Sequence, residues 1–438
     1  MASKPLVNKL LRPEVTSWVY LAVSINNAVY TVNAYVPTKK NRVLFGPSFF
    51  ASWITIELAW VHLVWQIVQT LVFGWLGAIK RRPGKLALVI NVASWAALAL
   101  TVRHSLASAH EVRESLKALN HPKRERRHLP FRVERNVEYQ RVAGKKIRLD
   151  VFRPVDPPAE GERRPVLVQI HGGGWTIGDK REQGQLLQKY MASEGWVCFN
   201  VNYRLSPGAT FPDHLVDIKR AIAWIRDHAD EYGIDPHFIA VTGGSAGGHL
   251  TALTALTANE AQFQPGFEDV DTTVQAAVPF YGVYDFTNRN GNWPPEVLSQ
   301  FLEPMVMKAY LAEEPEKFAA ASPMDWVDHD APPFFVIHGD RDTLAPVGDA
   351  RDFVDRLRAA SAEPVYYLEL HGAQHAFDIF PSIRANRVIE AAAHFLDGVH
   401  TAYRREGGEL VPGAVEEAVG EALDTDALER PTDQPAQV

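Results

Sequence analysis

The alternation of hydrophobic and polar positions divides the chain in two. Three long apolar stretches come first: Val15 to Val36, Ser48 to Ile79 and Leu86 to Val102. Crossing a bilayer core takes about 20 mostly apolar residues, so the second stretch is long enough, the third borderline, and the first weakened by Asn26, Asn27 and Asn33. The basic runs "PTKKNR" and "KRRPGK" separate them, and Trp53, Trp60, Trp65, Trp75 and Trp95 suit interfacial belts. The pattern predicts an all-α, apolar, transmembrane region over residues 1–102 and an integral membrane location. The competing reading is a soluble helical bundle, hydrophobic all round because its helices are buried. Glu57, His62 and Gln66 speak for it, since an acidic side chain at mid-membrane costs about 2.5 to 3.5 kcal/mol. Glu57, Val61 and His62 fall close together on a helix, which predicts a polar stripe facing a neighbouring helix. Basic residues flank both sides of each stretch, so the side of the membrane is not fixed. A cleaved signal peptide is disfavoured by the length and asparagines of the first stretch.

Residues 103–132 turn polar and basic, predicting an amphipathic helix and then a surface linker whose run "KRERRH" suits anionic headgroups or plain solvent. Beyond it the period changes. "NVEYQRV" and "KIRLDVF" read as strands paired across "AGK", and "PVLVQI", "VCFNVNY", "FIAVTG", "VQAAVPFY", "PFFVIHG" and "VYYLEL" as short buried strands. Helical patterns such as "FPDHLVDIKRAIAWIRDHADEYG" stand between most of them, predicting a mostly parallel sheet with helices on both faces over residues 133–400. The aromatic, Met-containing insertion at about 283–322 reads as a helical cap over a site, or as a surface insertion without substrate contact. The tail, 401–438, is acidic and predicts disorder apart from a short helix.

Composition narrows the function. A net charge of −7 gives no field for nucleic acid, and neither a zinc-spaced Cys/His set nor a GK[ST] phosphate loop occurs. The single cysteine, Cys198, lies in the apolar run "WVCFNV" and reads as an inert strand residue. No metal and no organic cofactor is implied.

The candidate chemistry begins at "VTGGSAGG". In a strand–turn–helix setting Gly243-Gly244-Ser245-Ala246-Gly247 fits the tight elbow that exposes a serine at the carboxyl edge of a sheet. A free serine is a weak nucleophile and needs a base and a group that orients the base. "FFVIHGDRDTLAP" offers Asp340 and Asp342, and "LHGAQHAFDIF" offers His371 and His375. Asp342 and His375 are the choice, each in the loop just past a strand, on the edge where Ser245 would stand. Taken singly, any of these residues also fits a turn or a helix cap. The strand ending in "HGGGW" adds a loop, Gly172, Gly173 and Gly174, whose N–H groups with that of Ala246 would hold a tetrahedral oxyanion.

Together "HGGGW", "YRLSP", "GGSAGG", "ASPMDWV", "HGDRDTL" and "QHAF" resemble the hormone-sensitive-lipase-like branch of the α/β-hydrolases, over Val133 to Leu396. The resemblance implies an α/β-hydrolase fold with an eight-stranded sheet, an acyl-enzyme mechanism, and carboxylic esters of modest chain length as substrates. It makes Ser245 the nucleophile, His375 the base and Asp342 the orienter, with the oxyanion held at Gly173, Gly174 and Ala246. Gly244 departs from it, since many relatives carry Asp there, and so does the apolar N-terminal region. The expectation is a membrane-anchored serine carboxylesterase or lipase acting on an apolar ester at the bilayer. An activated-amide (formamide) hydrolase or an acyltransferase on the same triad is the alternative. A silent ligand-binding or scaffold protein of the same fold is the reading from another class. Oligomeric state is not legible.

Overall fold

The computed structural model describes residues 12–38, 42–115, 127–411 and 413–420. The linker residues 116–126, with most of the basic run, and the tail beyond 420 lie outside the described residues. Four helices open the chain: α1 (Pro13–Tyr35), α2 (Arg42–Glu57), α3 (Ala59–Trp75) and α4 (Arg82–Ser115). Several polar side chains of the first three helices find partners among themselves and on α4. Tyr20, Thr70 and Asn91 form one buried hydrogen-bonded cluster across α1, α3 and α4, and Asn27 donates to Gln69 at 2.9 Å. Asn33 exchanges hydrogen bonds with the backbone and hydroxyl of Ser48.

Two expectations for this region need correction. The long second stretch is not one continuous helix: it breaks at Leu58, whose φ of −111° and ψ of 29° are not helical, and the two halves meet at 87°. Glu57 therefore does not share a stripe with Val61 and His62. Its carboxylate turns away to Arg384 and Ser382, and a charge that must reach a partner outside the helical region gives a reason for the bend. The third stretch runs on well past residue 102, as one 34-residue helix to Ser115. Among the described residues this helix alone is long and apolar enough to cross a membrane, and the bent pair adds a second only if it acts as one span.

The strands are β1 (Phe131–Val142), β2 (Lys145–Pro154), β3 (Arg164–Ile170), β4 (Val197–Val201), β5 (Ile234–Gly244), β6 (Ala276–Phe280), β7 (Phe334–Gly339) and β8 (Val365–Leu370). They form one eight-stranded sheet in the order β1-β2-β4-β3-β5-β6-β7-β8. β1 and β2 are an antiparallel hairpin closed at Ala143 and Gly144, both with positive φ, which is the backbone a two-residue hairpin turn demands. β2 also runs antiparallel to β4; from β4 to β8 every pairing is parallel. Parallel strands are covered on both faces, so β4, β6 and β7 are buried throughout and read as unbroken apolar runs.

The covering helices are α5 (Gln185–Ser193), α6 (Asp213–Asp227), α7 (Ala246–Leu256), α8 (Val347–Ala360), α9 (Ile383–Arg405) and α10 (Ala414–Gly420). α6 buries Leu215, Ile218, Ile222 and Ile225, a three-and-four spacing that makes one apolar stripe, and joins α7 and α8 on one face of the sheet. α5, α9 and α10 cover the other face. Phe49 and Trp53 of α2 and Val112 of α4 belong to that second core, so the helical region and the sheet share packed side chains.

Candidate active site

Every candidate residue lies where a parallel strand ends at its carboxyl edge. β5 stops at Gly244 and α7 starts at Ala246, leaving Ser245 alone between them with φ 60° and ψ −122°. A non-glycine residue in that region is strained, and neighbours must hold it there. Its N–H donates to the Phe280 carbonyl at 3.0 Å, and its own carbonyl accepts the first helical bond, from His249. The glycines make room for this turn. A Cβ on Gly247 would lie 2.1 Å from the Ile170 carbonyl oxygen, and one on Gly244 would lie 2.6 Å from the Tyr281 hydroxyl. Tyr281 thus fills the space beside the serine that a side chain at position 244 would take.

Asp342 and His375 meet across the loops after β7 and β8. His375 Nδ1 and Asp342 Oδ2 are 2.6 Å apart, both groups buried. The other carboxylate oxygen accepts the backbone N–H groups of Leu344 and Ala345 at 2.7 and 2.8 Å. Burial pushes the Asp342 carboxyl up, but the attraction of His375 and the hydrogen bonds from His338 and His375 outweigh it and hold the group well below the ordinary carboxylate range. With Nδ1–H committed to the carboxylate, Nε2 is the ring's free basic nitrogen. The His375 ring packs against Tyr281 at 4.5 Å between centroids, and Tyr281 in turn abuts Gly244, which brings the imidazole beside the elbow. Among the described residues the Ser245 hydroxyl makes no hydrogen bond, as expected before substrate tightens such a site.

The other sequence candidates separate here. Asp340 binds His371 Nδ1 at 2.7 Å and the Gly372 N–H, a partly exposed pair that ties the two loops together at the rim. Of the expected oxyanion donors, Gly172 departs: its N–H is already donated to Gln183 Oε1 at 2.7 Å. Gly173 and Gly174 carry no such commitment among the described residues and have φ of 115° and 57°, which turn their peptides as few other residues could. Ala246, as the first residue of α7, has an N–H without an acceptor inside its own helix. After the glycines, Trp175 Nε1 donates to His249 Nδ1 at 3.2 Å, and His249 Nε2 donates to the Ala321 carbonyl at 2.7 Å, which binds the loop, α7 and the cap insertion together.

The insertion at 283–322 contributes a short helix (Pro295–Val297), a π-helical segment (Leu298–Met307) and a second helix (Pro315–Ala320). Phe301 of the π-helical segment reaches the glycine loop: a Cβ on Gly174 would stand 3.1 Å from its ring. Three residues of the site escaped the sequence reading. His338 reaches Asp342 at 3.3 Å, and its signal was its place four residues before the aspartate. Tyr281 donates to the half-buried Asp378, whose carboxyl desolvation pushes up. Gln374 accepts the N–H groups of Thr343 and His375, pinning both loops at once.

An eight-stranded sheet of this order, with a serine at the β5 elbow and a buried aspartate–histidine pair beside it, has the architecture of the α/β-hydrolase fold. The comparisons place the chain further. Residues 149–357 match the BD-FAE family model. A probable carboxylic ester hydrolase, LipM, of Mycobacterium tuberculosis is 51% identical over 269 residues, covering 61% of this chain and 62% of the relative. The esterase LipQ of the same organism is 48% identical, covering 59% and 60%. The aligned region thus spans about three fifths of the length of these curated relatives. A Thermogutta terrifontis esterase solved with butyrate bound is similar in structure, with TM-score 0.51 and 25% identity over 66% of this chain and 97% of that one. Over this region the chain is similar to carboxylic ester hydrolases in sequence and to an esterase in fold.

Proposed function

We propose that this protein is a membrane-attached serine carboxylesterase that hydrolyses an apolar carboxylic ester through an acyl-enzyme. The observation that carries the reading is the strained Ser245 beside a histidine whose far nitrogen is held at 2.6 Å by a buried aspartate. In this mechanism His375 Nε2 takes the Ser245 proton as the hydroxyl attacks the ester carbon, and Asp342 stabilises the imidazolium that forms. The negative charge on the carbonyl oxygen is met by the N–H groups of Gly173, Gly174 and Ala246, and each such donor is worth about 3 to 4 kcal/mol in the transition state. His375 then returns the proton to the leaving alcohol, and water repeats the sequence to release the acid. The relatives' descriptions as ester hydrolases support the bond type, and butyrate in the Thermogutta esterase supports a modest acyl chain. We assign catalysis to residues 133–400, with the cap insertion over the acyl site, and bilayer attachment to the helices before residue 116.

Hydrolysis of a p-nitrophenyl ester series by detergent-solubilised protein tests this, with Ser245→Ala as its partner. Turnover abolished in the variant, and a fluorophosphonate probe that labels only the parent, are the expected results. A folded parent that neither turns over any ester nor takes the probe would favour the scaffold reading, and turnover of formamides alone would favour the amide hydrolase.

A further inference from the structure

The N-terminal helices do more than lie near the sheet: α2 grips the loop that carries His375. Phe49 meets the imidazole edge to face, with centroids 6.4 Å apart. On one side of the histidine, Gln374 Nε2 lies 3.5 Å from Ser52 Oγ, while the same amide's oxygen accepts the N–H groups of Thr343 and His375. On the other side, Trp53 Nε1 donates to the Ala376 carbonyl at 2.9 Å in a buried bond between residues far apart in sequence. Ala376 has φ 60°, a left-handed conformation that an alanine does not hold by itself, and the indole bond fixes the direction of that peptide. Further along, Glu57 accepts from Ser382 Oγ at 3.0 Å and Arg384 Nη1 at 2.5 Å, with both charged side chains fully buried. Both flanks of the base are therefore held by one helix from the apolar region.

We propose that α2 is the positioning element of His375, with Trp53 and Glu57 as positioning residues that set its Nε2 against Ser245. The helical region is then a working part of the catalytic unit as well as an anchor, which rests on the esterase reading above. Asp342 and Tyr281 hold the ring itself, but without bonds to the flanking backbone the loop that carries it would be free to shift. Bonds to the residues on both sides of the histidine remove that freedom, and a misplacement of about 1 Å is enough to cost a hundredfold in rate.

Trp53→Phe tests it, because the change deletes one N–H and keeps a ring stacked on Phe380, 4.7 Å away. The expected result on a p-nitrophenyl ester is a kcat lower by about ten- to a hundredfold with KM within about twofold. The thermal midpoint should stay within about 2 °C of the parent. Ser52→Ala, too small a change to unfold the helix, should lower kcat in the same direction by a few-fold, and Trp18→Phe on the exposed side of α1 should leave it unchanged. A Trp53→Phe protein with the parent's kcat, or one whose loss lies in KM or tracks a fall in thermal midpoint, overturns the proposal. Should the parent turn over, Ser245→Ala not, and Trp53→Phe match the parent, the positioning role fails alone; an inert parent takes down the esterase reading and this proposal with it.

Discussion

Asp342 shows how much of this site is decided by single donors. Its two oxygens are met by two backbone N–H groups and the His375 ring, with His338 beside them, so the carboxylate is fixed in direction as well as in charge. Asp342→Asn keeps the shape and reverses the demand on Nδ1, which then no longer has to be protonated. The expected outcome is a kcat lower by about 10⁴-fold with KM little changed, read from ester turnover at neutral pH. Three other buried histidines set the acid limit of the fold. Burial pushes His171 and His214 down to about 4 and His249 to about 3, so all three are neutral in the folded protein at neutral pH. Their folded values lie below the unfolded value, so below pH ~6.5 unfolding takes up protons and stability falls as pH falls, down to about pH 3 to 4. Denaturant midpoints between pH 7 and 4 should follow a slope of up to ~3 protons, reduced by about one in His249→Gln, and a pH-independent midpoint would contradict the assignment. Ser245, Asp342 and His375 were legible because a motif, a chain order and a strand end coincide. His338 and Tyr281 were not, because their roles come from where a side chain points once strands lie side by side, and a linear pattern does not hold that direction.

At the scale of elements, strands and amphipathic helices were legible from period and length, whereas breaks within them were not. The second apolar stretch reads as one continuous helix until Glu57 is seen to have a partner in α9. Removing that carboxylate leaves Arg384 buried and unpaired, so Glu57→Gln should cost about 3 to 5 kcal/mol of stability, seen as a lower denaturant midpoint. Truncating both side chains to apolar residues of like size should cost far less, and a double-variant loss equal to the sum of the two single losses would show that the pair is not coupled. The cap supplies a second case. Its π-helical turn carries Pro304, which has no N–H for a regular ladder, and this irregular segment holds Phe301 over Gly174. The insertion was visible in the sequence as an aromatic-rich segment; which aromatic would meet the glycine loop was not. Phe301→Ala opens space next to the proposed oxyanion site. The p-nitrophenyl series should then move its optimum toward longer acyl chains, by a rate ratio of about tenfold, and an unmoved optimum would place the acyl group elsewhere.

Across the whole molecule the division into an apolar helical region and an α/β region is plain from the hydrophobic pattern, but their union is not. Phe49 and Trp53 enter the sheet's second core through contacts more than three hundred residues apart in sequence, and no local period encodes such a pairing. That union bears on the proposed bilayer attachment. A helical bundle buried on all sides would hide its tryptophans, yet Trp18, Trp60, Trp65 and Trp75 are 65%, 53%, 60% and 85% exposed. Around them stand exposed Val29, Val64, Leu71 and Val89, and only 28% of the most apolar part of α4 is buried. If, as proposed, a bilayer covers α1, α3 and α4, the contacts of α2 with the His375 loop would bring it near the base. Reconstitution into vesicles with brominated acyl chains measures this directly. Fluorescence of the parent should be quenched, and replacing Trp18, Trp60, Trp65 and Trp75 by Phe should remove most of the quenchable part while Trp175 and Trp196 in the catalytic region remain bright. Protein that leaves the vesicles in an alkaline wash with its tryptophans unquenched would return the helical region to the soluble-bundle reading. Quenching together with faster turnover of an ester dissolved in the bilayer than of the same ester in detergent would mean that the substrate arrives from the lipid side.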